Sequence, residues 1–297
     1  MSRKRRGERV DGWLAVDKPS GKTSAHTVAI AKRMFSARKA GHGGTLDPLA
    51  TGVLPIAFGE ATKTVEYVMR GAKLYRFTVR WGEARDTDDR EGALVAASEL
   101  RPRADEIEAL LDRFRGEIEQ VPPAYAAIKV GGRRAYELAR AGTAPDLAPR
   151  RVTVSRLQLL SSGRDEATFE MACSGGTYVR ALARDLGQGL GTFAHVSALR
   201  RRRAGPFTEA CAISLDSLQA LGHSSARSRH LLPVEAALAD IPAIALTDIQ
   251  AEKLRHGETV HVDSTDTGVR CAMASGRLVA LAEVAHGRAR PRRVFNL

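Results

Sequence analysis

The sequence predicts an α/β (α+β) protein in which helices and strands are interspersed on an extensive sheet. In residues 75–81, aromatic and branched residues alternate with polar ones, which is the period of a half-buried strand. In residues 105–114, apolar residues recur three and four positions apart, the pattern of an amphipathic helix packed on a sheet. Strand-like segments at 151–160 and 167–173 and a helix from residue 177 continue the mixture.

The N-terminal elements are predicted to be a short strand and a helix. Residues 13–16 are mainly apolar and lead into a turn that contains Pro and Gly. Thr23 or Ser24 can cap the helix that follows, because residues 25–35 place apolar side chains at near-helical spacing.

An irregular segment and a second strand come next. Residues 41–52 contain four glycines and a proline, which predicts a loop. Residues 53–58 form a candidate strand. Because Pro55 cannot donate a backbone hydrogen bond, we expect this strand at a sheet edge or at a bulge.

The end of the chain predicts a separate small domain. Residues 217–239 are helical or loop-like, and the composition changes after Pro242. A short helix near 250–255 and short strands at 259–262 and 278–281 are expected beyond that point. We therefore divide the chain into a basic, disordered tail, a large domain and a small β-rich domain, with the bounds 1–10, 11–240 and 241–297.

The composition is that of a folded, basic protein. Of 297 residues, 43% are hydrophobic and 27% are charged, as in globular proteins. The net charge of +12 favours a polyanionic partner, either nucleic acid or an anionic membrane surface. The sequence has no apolar run of about eighteen residues and no apolar stretch of a secretory signal, so we expect a cytoplasmic protein without membrane attachment.

Motifs for metals and nucleotides are absent from the sequence. The three cysteines and eight histidines are scattered, so we expect buried thiols and no metal site. The segment Gly21-Lys22-Thr23 looks like the end of a phosphate-binding loop, but Val16 stands where that loop needs a glycine. ATP hydrolysis and dinucleotide binding therefore have little support.

The loop at 41–52 has the composition of a site that holds one carboxylate in place. Its glycines let the backbone approach a ligand, and Pro48 favours extended geometry at Asp47. The carboxylate would then lie on a fixed loop. The alternative is an ordinary Gly/Pro turn with a solvated aspartate, which local physics alone favours.

The same loop is similar to the signature of the TruB-type tRNA pseudouridine synthases. It reads GHGGTLDPLATG, and other blocks typical of the family occur in the family's order. These blocks are GWLAVDKPSG at 12–21, GEATK at 59–63, KLYR at 73–76, VPPAYAAIK at 121–129, GTYVR at 176–180, and AHV leading into LRR at 194–201. The resemblance covers residues 10–205. Beyond it, the small domain resembles a PUA-like RNA-binding domain by position and length.

This resemblance implies a fold and a reaction. The fold is a mixed, mainly antiparallel central sheet flanked by helices, with a cleft across it. A small β-rich PUA-like domain follows it in the chain. The reaction converts the T-loop uridine at tRNA position 55 to pseudouridine, by breaking the N1–C1′ bond and rejoining the base through C5. The isomerisation requires no redox cofactor, ATP or metal, so we expect no cofactor.

Three residues match the catalytic positions of the family. Asp47 matches the aspartate that attacks as a nucleophile or stabilises charge on the sugar. Arg180 is the guanidinium expected to keep that carboxylate ionised. Tyr75 matches the tyrosine expected to stack on the target base and to take a proton. Without the resemblance, Arg180 would be interpreted as a surface residue and Tyr75 equally well as core.

Four further residues match substrate-binding positions of the family. The target uridine has to leave its stack, and His42 matches the histidine that contacts RNA at the flipped nucleotide. Tyr178 and Leu199 match positions that line the uracil pocket, and Lys63 matches a lysine near the site. Without the resemblance, His42 would be interpreted as a loop histidine with a local hydrogen bond. Tyr178 and Leu199 would be interpreted as core residues, and Lys63 as a surface residue.

The expected partner is the T arm of tRNA. Basic runs at 3–6, 133–134 and 200–203 suit phosphate contacts. We expect a monomer without an obligate protein partner. Two alternatives stay open, namely a non-catalytic RNA-binding or RNA-folding protein, and a guide-RNA-dependent relative that acts in a larger particle.

Overall fold

The chain is a mixture of helices and strands in a computed structural model that describes residues 7–143, 146–222, 224–264 and 266–297. The described residues form seven α-helices, which are α1 (Ser24–Met34), α2 (Val65–Arg70), α3 (Ala104–Leu111), α4 (Ala135–Arg140), α5 (Val179–Gly189), α6 (Leu215–Ala220) and α7 (Asp248–Arg255). They also form nineteen strands, which are β1 (Gly12–Lys18), β2 (Ala40–His42), β3 (Thr51–Phe58), β4 (Lys73–Trp81), β5 (Glu83–Arg85), β6 (Leu94–Ala97), β7 (Gly116–Gln120), β8 (Lys129–Val130), β9 (Arg133–Arg134), β10 (Arg150–Ser162), β11 (Glu166–Cys173), β12 (Ala194–Ala204), β13 (Phe207–Thr208), β14 (Ile213–Ser214), β15 (Ala243–Ala245), β16 (Val260–His261), β17 (Gly268–Ala274), β18 (Arg277–Ala285) and β19 (Arg288–Val294).

Ten of these strands form one central sheet. Its order is β14-β1-β3-β12-β4-β11-β10-β7, with β2 beside β3 and β13 beside β12. The pairings are antiparallel, apart from the parallel pairs β1 with β14 and β3 with β12. The prediction of a mixed, mainly antiparallel central sheet is therefore confirmed.

Strand β4 crosses the middle of this sheet and separates a buried face from an exposed one. Tyr75, Phe77, Val79 and Trp81 all lie on the buried face, as the alternation in the sequence predicts. Helices α1, α3 and α5 cover that face, and their apolar residues join β4 in one core. The inward residues of the sheet and the start of α5 therefore lie close to each other.

Strand β3 corrects the prediction that Pro55 marks an edge or a bulge. The strand lies inside the sheet between β1 and β12, and Pro55 faces Ala15 of β1. On the other side of β3, β12 pairs as far as Gly52 and β2 pairs from Ile56 onward. Pro55 lies between these two partners, so its missing N–H falls where the ladder is already interrupted.

The C-terminal part is a small β-rich domain, as predicted. Its five strands have the order β15-β17-β18-β19-β16, and α7 packs on them. The domain has its own hydrophobic core, which includes Leu254 of α7. The last strand, β19, was not among the predicted elements. Phe295, near the end of the chain, is buried in one cluster with Trp13 and Phe207 of the large domain. This contact joins the two domains.

The predicted tail begins to pack before residue 10. Glu8 forms a β-bridge with Ala37, so the expectation of a disordered tail is wrong for residues 7–10. The basic run at 3–6 lies outside the described residues. Among the residues that the structure describes, none of the helices is both long and apolar enough to cross a membrane.

Candidate active site

Asp47 lies on a loop between β2 and β3 that is held from several sides. The buried Lys18 donates a hydrogen bond to the Pro48 carbonyl at 3.1 Å. The Ser24 hydroxyl donates to the Leu46 carbonyl at 2.9 Å and accepts from the Leu46 N–H at 2.8 Å. Burial lowers the pKa of Lys18 to about 8, and the charge of Asp47 opposes that shift. The loop is therefore a fixed support and not a solvated turn.

A buried arginine meets the Asp47 carboxylate with two of its nitrogens. Arg180 lies in the first turn of α5, and its Nη2 donates to Asp47 Oδ1 at 3.2 Å while Nε lies 2.9 Å from Oδ2. The same guanidinium donates to the carbonyls of Thr87 at 2.8 Å and Tyr125 at 3.1 Å. Its side chain is 5% exposed, whereas that of Asp47 is 31% exposed. The ion pair therefore leaves the carboxylate open on one side.

A second carboxylate, Asp89, was missed in the sequence. It is buried, and its Oδ2 lies 3.7 Å from Arg180 Nε. Its Oδ1 accepts hydrogen bonds from the Thr87 hydroxyl at 2.7 Å and from the Glu91 N–H at 3.0 Å. Asp89 stands in an acidic segment that resembles a solvated loop in the sequence. Its place at the site is shown only by its contact with Arg180 of α5, which is far away in the sequence.

The free side of Asp47 faces a cavity of about 370 Å³. Six of the seven residues predicted for the site line it, namely His42, Asp47, Tyr75, Tyr178, Arg180 and Leu199. They come from the loop that carries Asp47, from β2, β4 and β12, and from the start of α5. The fold thus brings together residues that lie up to 157 positions apart in the sequence, counted from His42 to Leu199.

Two tyrosines and one leucine form other parts of the cavity wall. Burial raises the pKa of Tyr75, although the positive charge of Arg201 opposes this, so the phenol is protonated at neutral pH. Burial also raises the pKa of Tyr178. The Tyr178 backbone exchanges two hydrogen bonds with the Gln120 side chain, at 2.8 and 3.0 Å. Leu199 pairs in the sheet beside β4 and presents an apolar surface.

His42 lines the same cavity, and its ring is neutral at neutral pH. Burial lowers its pKa, and the nearby positive charge of Arg201 lowers it further. Within the described chain, its buried Nδ1 has no hydrogen-bond partner. A buried ring nitrogen without a partner is uncommon, because desolvation without a hydrogen bond is costly. The imidazole can therefore bond to a ligand that enters the cavity.

The chain is similar to known proteins over its whole length. The family model described as "TruB family pseudouridylate synthase (N terminal domain)" matches residues 32–179, and that of the "tRNA pseudouridylate synthase B C-terminal domain" matches residues 180–239. A protein of Rhodospirillum rubrum named tRNA pseudouridine synthase B is 54% identical, with 100% of both chains covered. The chain belongs to the TruB family of pseudouridylate synthases. The predicted family and the predicted class of enzyme, an isomerase, are confirmed.

Other members of the TruB family and more distant structures extend the comparison. A tRNA pseudouridine synthase B of Bradyrhizobium diazoefficiens is 54% identical over 97% of this chain and 86% of its own. A solved structure titled "Crystal Structure of a Cbf5-Nop10-Gar1 Complex" is 28% identical with a TM-score of 0.70, and covers 92% of this chain and 78% of that one. A chain in an "H/ACA RNP bound to a substrate RNA containing 2'-deoxyuridine" has a TM-score of 0.74 at 24% identity, and covers 100% and 92%. It shares the fold.

Lys63 is the predicted site residue that this TruB family member places elsewhere. In the described part of the chain, Lys63 does not line the cavity. Its ammonium binds Glu60 at 2.6 Å and donates to the Val294 carbonyl at 2.8 Å. Asn296 donates to the same Glu60 carboxylate at 2.8 Å. The lysine therefore joins the large domain to the C-terminal strand, and its contact with the substrate stays a prediction.

The basic run at 200–203 was predicted to contact phosphates. Three of its four arginines instead bind groups within the protein. Arg201 is buried at the cavity wall and donates to the carbonyls of Gly44 at 3.0 Å and Val53 at 2.8 Å. Arg200 and Arg202 form ion pairs with carboxylates of β1, β11 and the segment after β13. The run at 133–134 is exposed on β9, and Arg134 reaches the cavity.

Proposed function

We propose that this chain isomerises the T-loop uridine at tRNA position 55 to pseudouridine, with Asp47 as the catalytic carboxylate. The single observation that carries the proposal is the ion pair between Asp47 and Arg180 at the wall of a cavity. A carboxylate that is paired with a buried guanidinium beside a space for one nucleoside can attack the substrate or stabilise positive charge on its ribose. Both routes use the exposed side of Asp47.

The remaining residues of the cavity suit the steps of this reaction. The base leaves its stack and enters the cavity at a cost of a few kcal/mol. Tyr75 then stacks on the uracil, while Tyr178 and Leu199 flank the base. Because the Tyr75 phenol is already protonated at neutral pH, the proton that C5 loses leaves to solvent. The N1–C1′ bond breaks, the uracil turns, and the C5–C1′ bond forms. C5 loses its proton and N1 gains one, so the composition of the substrate does not change.

The RNA outside the flipped nucleotide requires a basic surface. His42 contacts the RNA where the uridine leaves its stack. Arg134 lines the cavity, and it and its exposed neighbour Arg133 on β9 can meet phosphates of the RNA. The PUA-like C-terminal domain is proposed to add further RNA contacts. We propose that the chain acts as a monomer, without protein partners, in the cytoplasm where its tRNA substrate is found.

The test is tritium release from an unmodified tRNA transcript labelled at uracil C5, incubated with the purified chain alone. We expect one tritium per tRNA, and none from a transcript in which cytidine replaces the uridine at position 55. Binding without release would support a non-catalytic RNA-binding protein. Release only after addition of a guide RNA and partner proteins would support a guide-dependent synthase.

A further inference from the structure

Helix α5 carries a second arginine one turn after Arg180. Arg184 Nη1 lies 3.0 Å from Asp88 Oδ2, and its Nη2 donates to the Val121 carbonyl at 2.8 Å. The Arg184 Nε also donates to the neighbouring Asp185 at 3.0 Å. Arg184 thus joins α5 to two segments that lie beside the cavity, although it does not itself line that cavity in the described chain.

Asp88 stands between the two residues of its loop that contact Arg180. The Thr87 carbonyl accepts from Arg180 Nη1 at 2.8 Å, and Asp89 Oδ2 lies 3.7 Å from Arg180 Nε. Two arginines one turn apart therefore hold three consecutive residues of one loop. A movement of Asp88 would displace both of the neighbours that orient the Arg180 guanidinium.

The backbone at Asp88 is in an unfavourable conformation. Its φ is 58°, in the left-handed region that residues other than glycine seldom occupy. Its carbonyl accepts from the Val196 N–H at 3.1 Å, so β12 fixes the turn from the other side. A conformation of this kind persists when its surroundings determine it, and such residues are concentrated at functional sites.

We propose that the Asp88–Arg184 ion pair is a positioning pair for the isomerisation. It docks the loop at residues 86–92 on α5 and so holds the Arg180 guanidinium against both oxygens of Asp47. The pair does not touch the substrate. This proposal rests on the proposed function, because its effect is measured as the rate of pseudouridine formation.

The charge of Asp88 has opposite consequences for stability and for activity. Burial raises its pKa to about 6, while Arg184 and Arg180 oppose the shift and Asp185 adds to it; these are the charged groups of α5 that face it. Because the folded-state pKa lies above the usual value of 3.8, the folded protein loses stability as pH rises between those two values. Removing the charge should therefore not destabilise the fold, whereas the proposed role requires the charge.

The test is the variant Asp88→Asn, because asparagine tolerates the left-handed region and removes the charge. At pH 7.5 we expect kcat on the tRNA transcript to fall about tenfold, within the range of coupling between contacting residues. The KM should stay within about twofold, and the melting temperature should be unchanged or higher. The ratio of wild-type to variant kcat should approach one by about pH 5, where wild-type Asp88 is protonated.

Two further variants separate the pair from its neighbours. Asp185→Asn removes the other carboxylate of Arg184 and should leave kcat unchanged. Arg184→Gln should lower kcat as Asp88→Asn does, and the double variant should be no slower than either single one.

An Asp88→Asn variant with wild-type kcat at pH 7.5 would overturn the pairing role while leaving the proposed function intact. Additive losses in the double variant, or a kcat loss matched by a lower melting temperature, would also overturn it. If the wild-type chain itself releases no tritium, the proposed function fails and the positioning role fails with it.

Discussion

The contact between Arg180 and Asp47 can be perturbed by the substitution Arg180→Lys, which keeps the positive charge and changes its shape. The guanidinium meets both Asp47 oxygens, at 3.2 and 2.9 Å, and binds two backbone carbonyls as well. A lysine ammonium is a point donor on a flexible stem, so it can face one of the two oxygens. The carboxylate then loses one of the two contacts that fix its rotation.

The size of the effect follows from the contact that is lost. A hydrogen bond to a charged group contributes about 1.5–3 kcal/mol. If this energy orients Asp47 in the transition state, its loss lowers kcat by roughly 10- to 150-fold. The affinity for tRNA should change little, because the side chain of Arg180 is buried.

The assay is single-turnover tritium release with enzyme in excess, together with filter binding of the same transcript. Arg200→Lys is the matched control, since Arg200 also contacts an aspartate through a guanidinium, with Nη2 2.9 Å from Asp17 Oδ2, but does not line the cavity in the described chain. We expect this half-exposed pair to change the rate by no more than about threefold. An Arg180→Lys variant with at least half of the wild-type rate would refute the orientation argument, as would a loss confined to tRNA binding.

Three further substitutions or titrations test separate parts of the account. Tyr75→Phe keeps the ring and removes a hydroxyl that is protonated at neutral pH, so a stacking role predicts little change in kcat and in tRNA affinity; a kcat loss of roughly 100-fold or more would show that the hydroxyl takes part in proton transfer. The His42 ring should titrate below its usual pKa of 6.5 in an NMR experiment, because burial and Arg201 disfavour its charged form; a midpoint above that value contradicts the described burial. Lys63→Met should lower the free energy of unfolding by about 1 kcal/mol and leave kcat unchanged, because Lys63 binds Glu60 and the C-terminal strand; a slow but fully stable variant would restore its place at the site.

Elements with regular local patterns could be predicted from the sequence. Strand β4 is half-buried in an antiparallel sheet, so its inward residues alternate with polar ones and the pattern is visible. Strands β12 and β19 were not predicted, because each carries four arginines and their polarity hides the alternation. In β12 the burial of Arg201 depends on the backbone carbonyls of the distant Gly44 and of Val53 in β3, which no local pattern indicates.

The candidate site was predictable where the family signature extends and less so where contacts are long-range. The loop around Asp47 and the start of α5 carry recognisable motifs, and the fold brings them together. Asp89 and Asp88 looked like members of a solvated acidic run, since their arginine partners on α5 lie more than ninety positions further along the chain. Lys63 carries a family motif, yet its position beside the C-terminal strand depends on the packing of the two domains.

The most direct test of the central claim is the Asp47→Asn variant on unmodified tRNA transcript. Asparagine has nearly the same shape as aspartate but cannot act as a nucleophile or stabilise positive charge on the ribose. We expect no detectable tritium release after hours of incubation, with tRNA bound at nearly wild-type affinity and an unchanged melting temperature. A purified Asp47→Asn enzyme that still forms pseudouridine would contradict the assignment of Asp47 as the catalytic carboxylate.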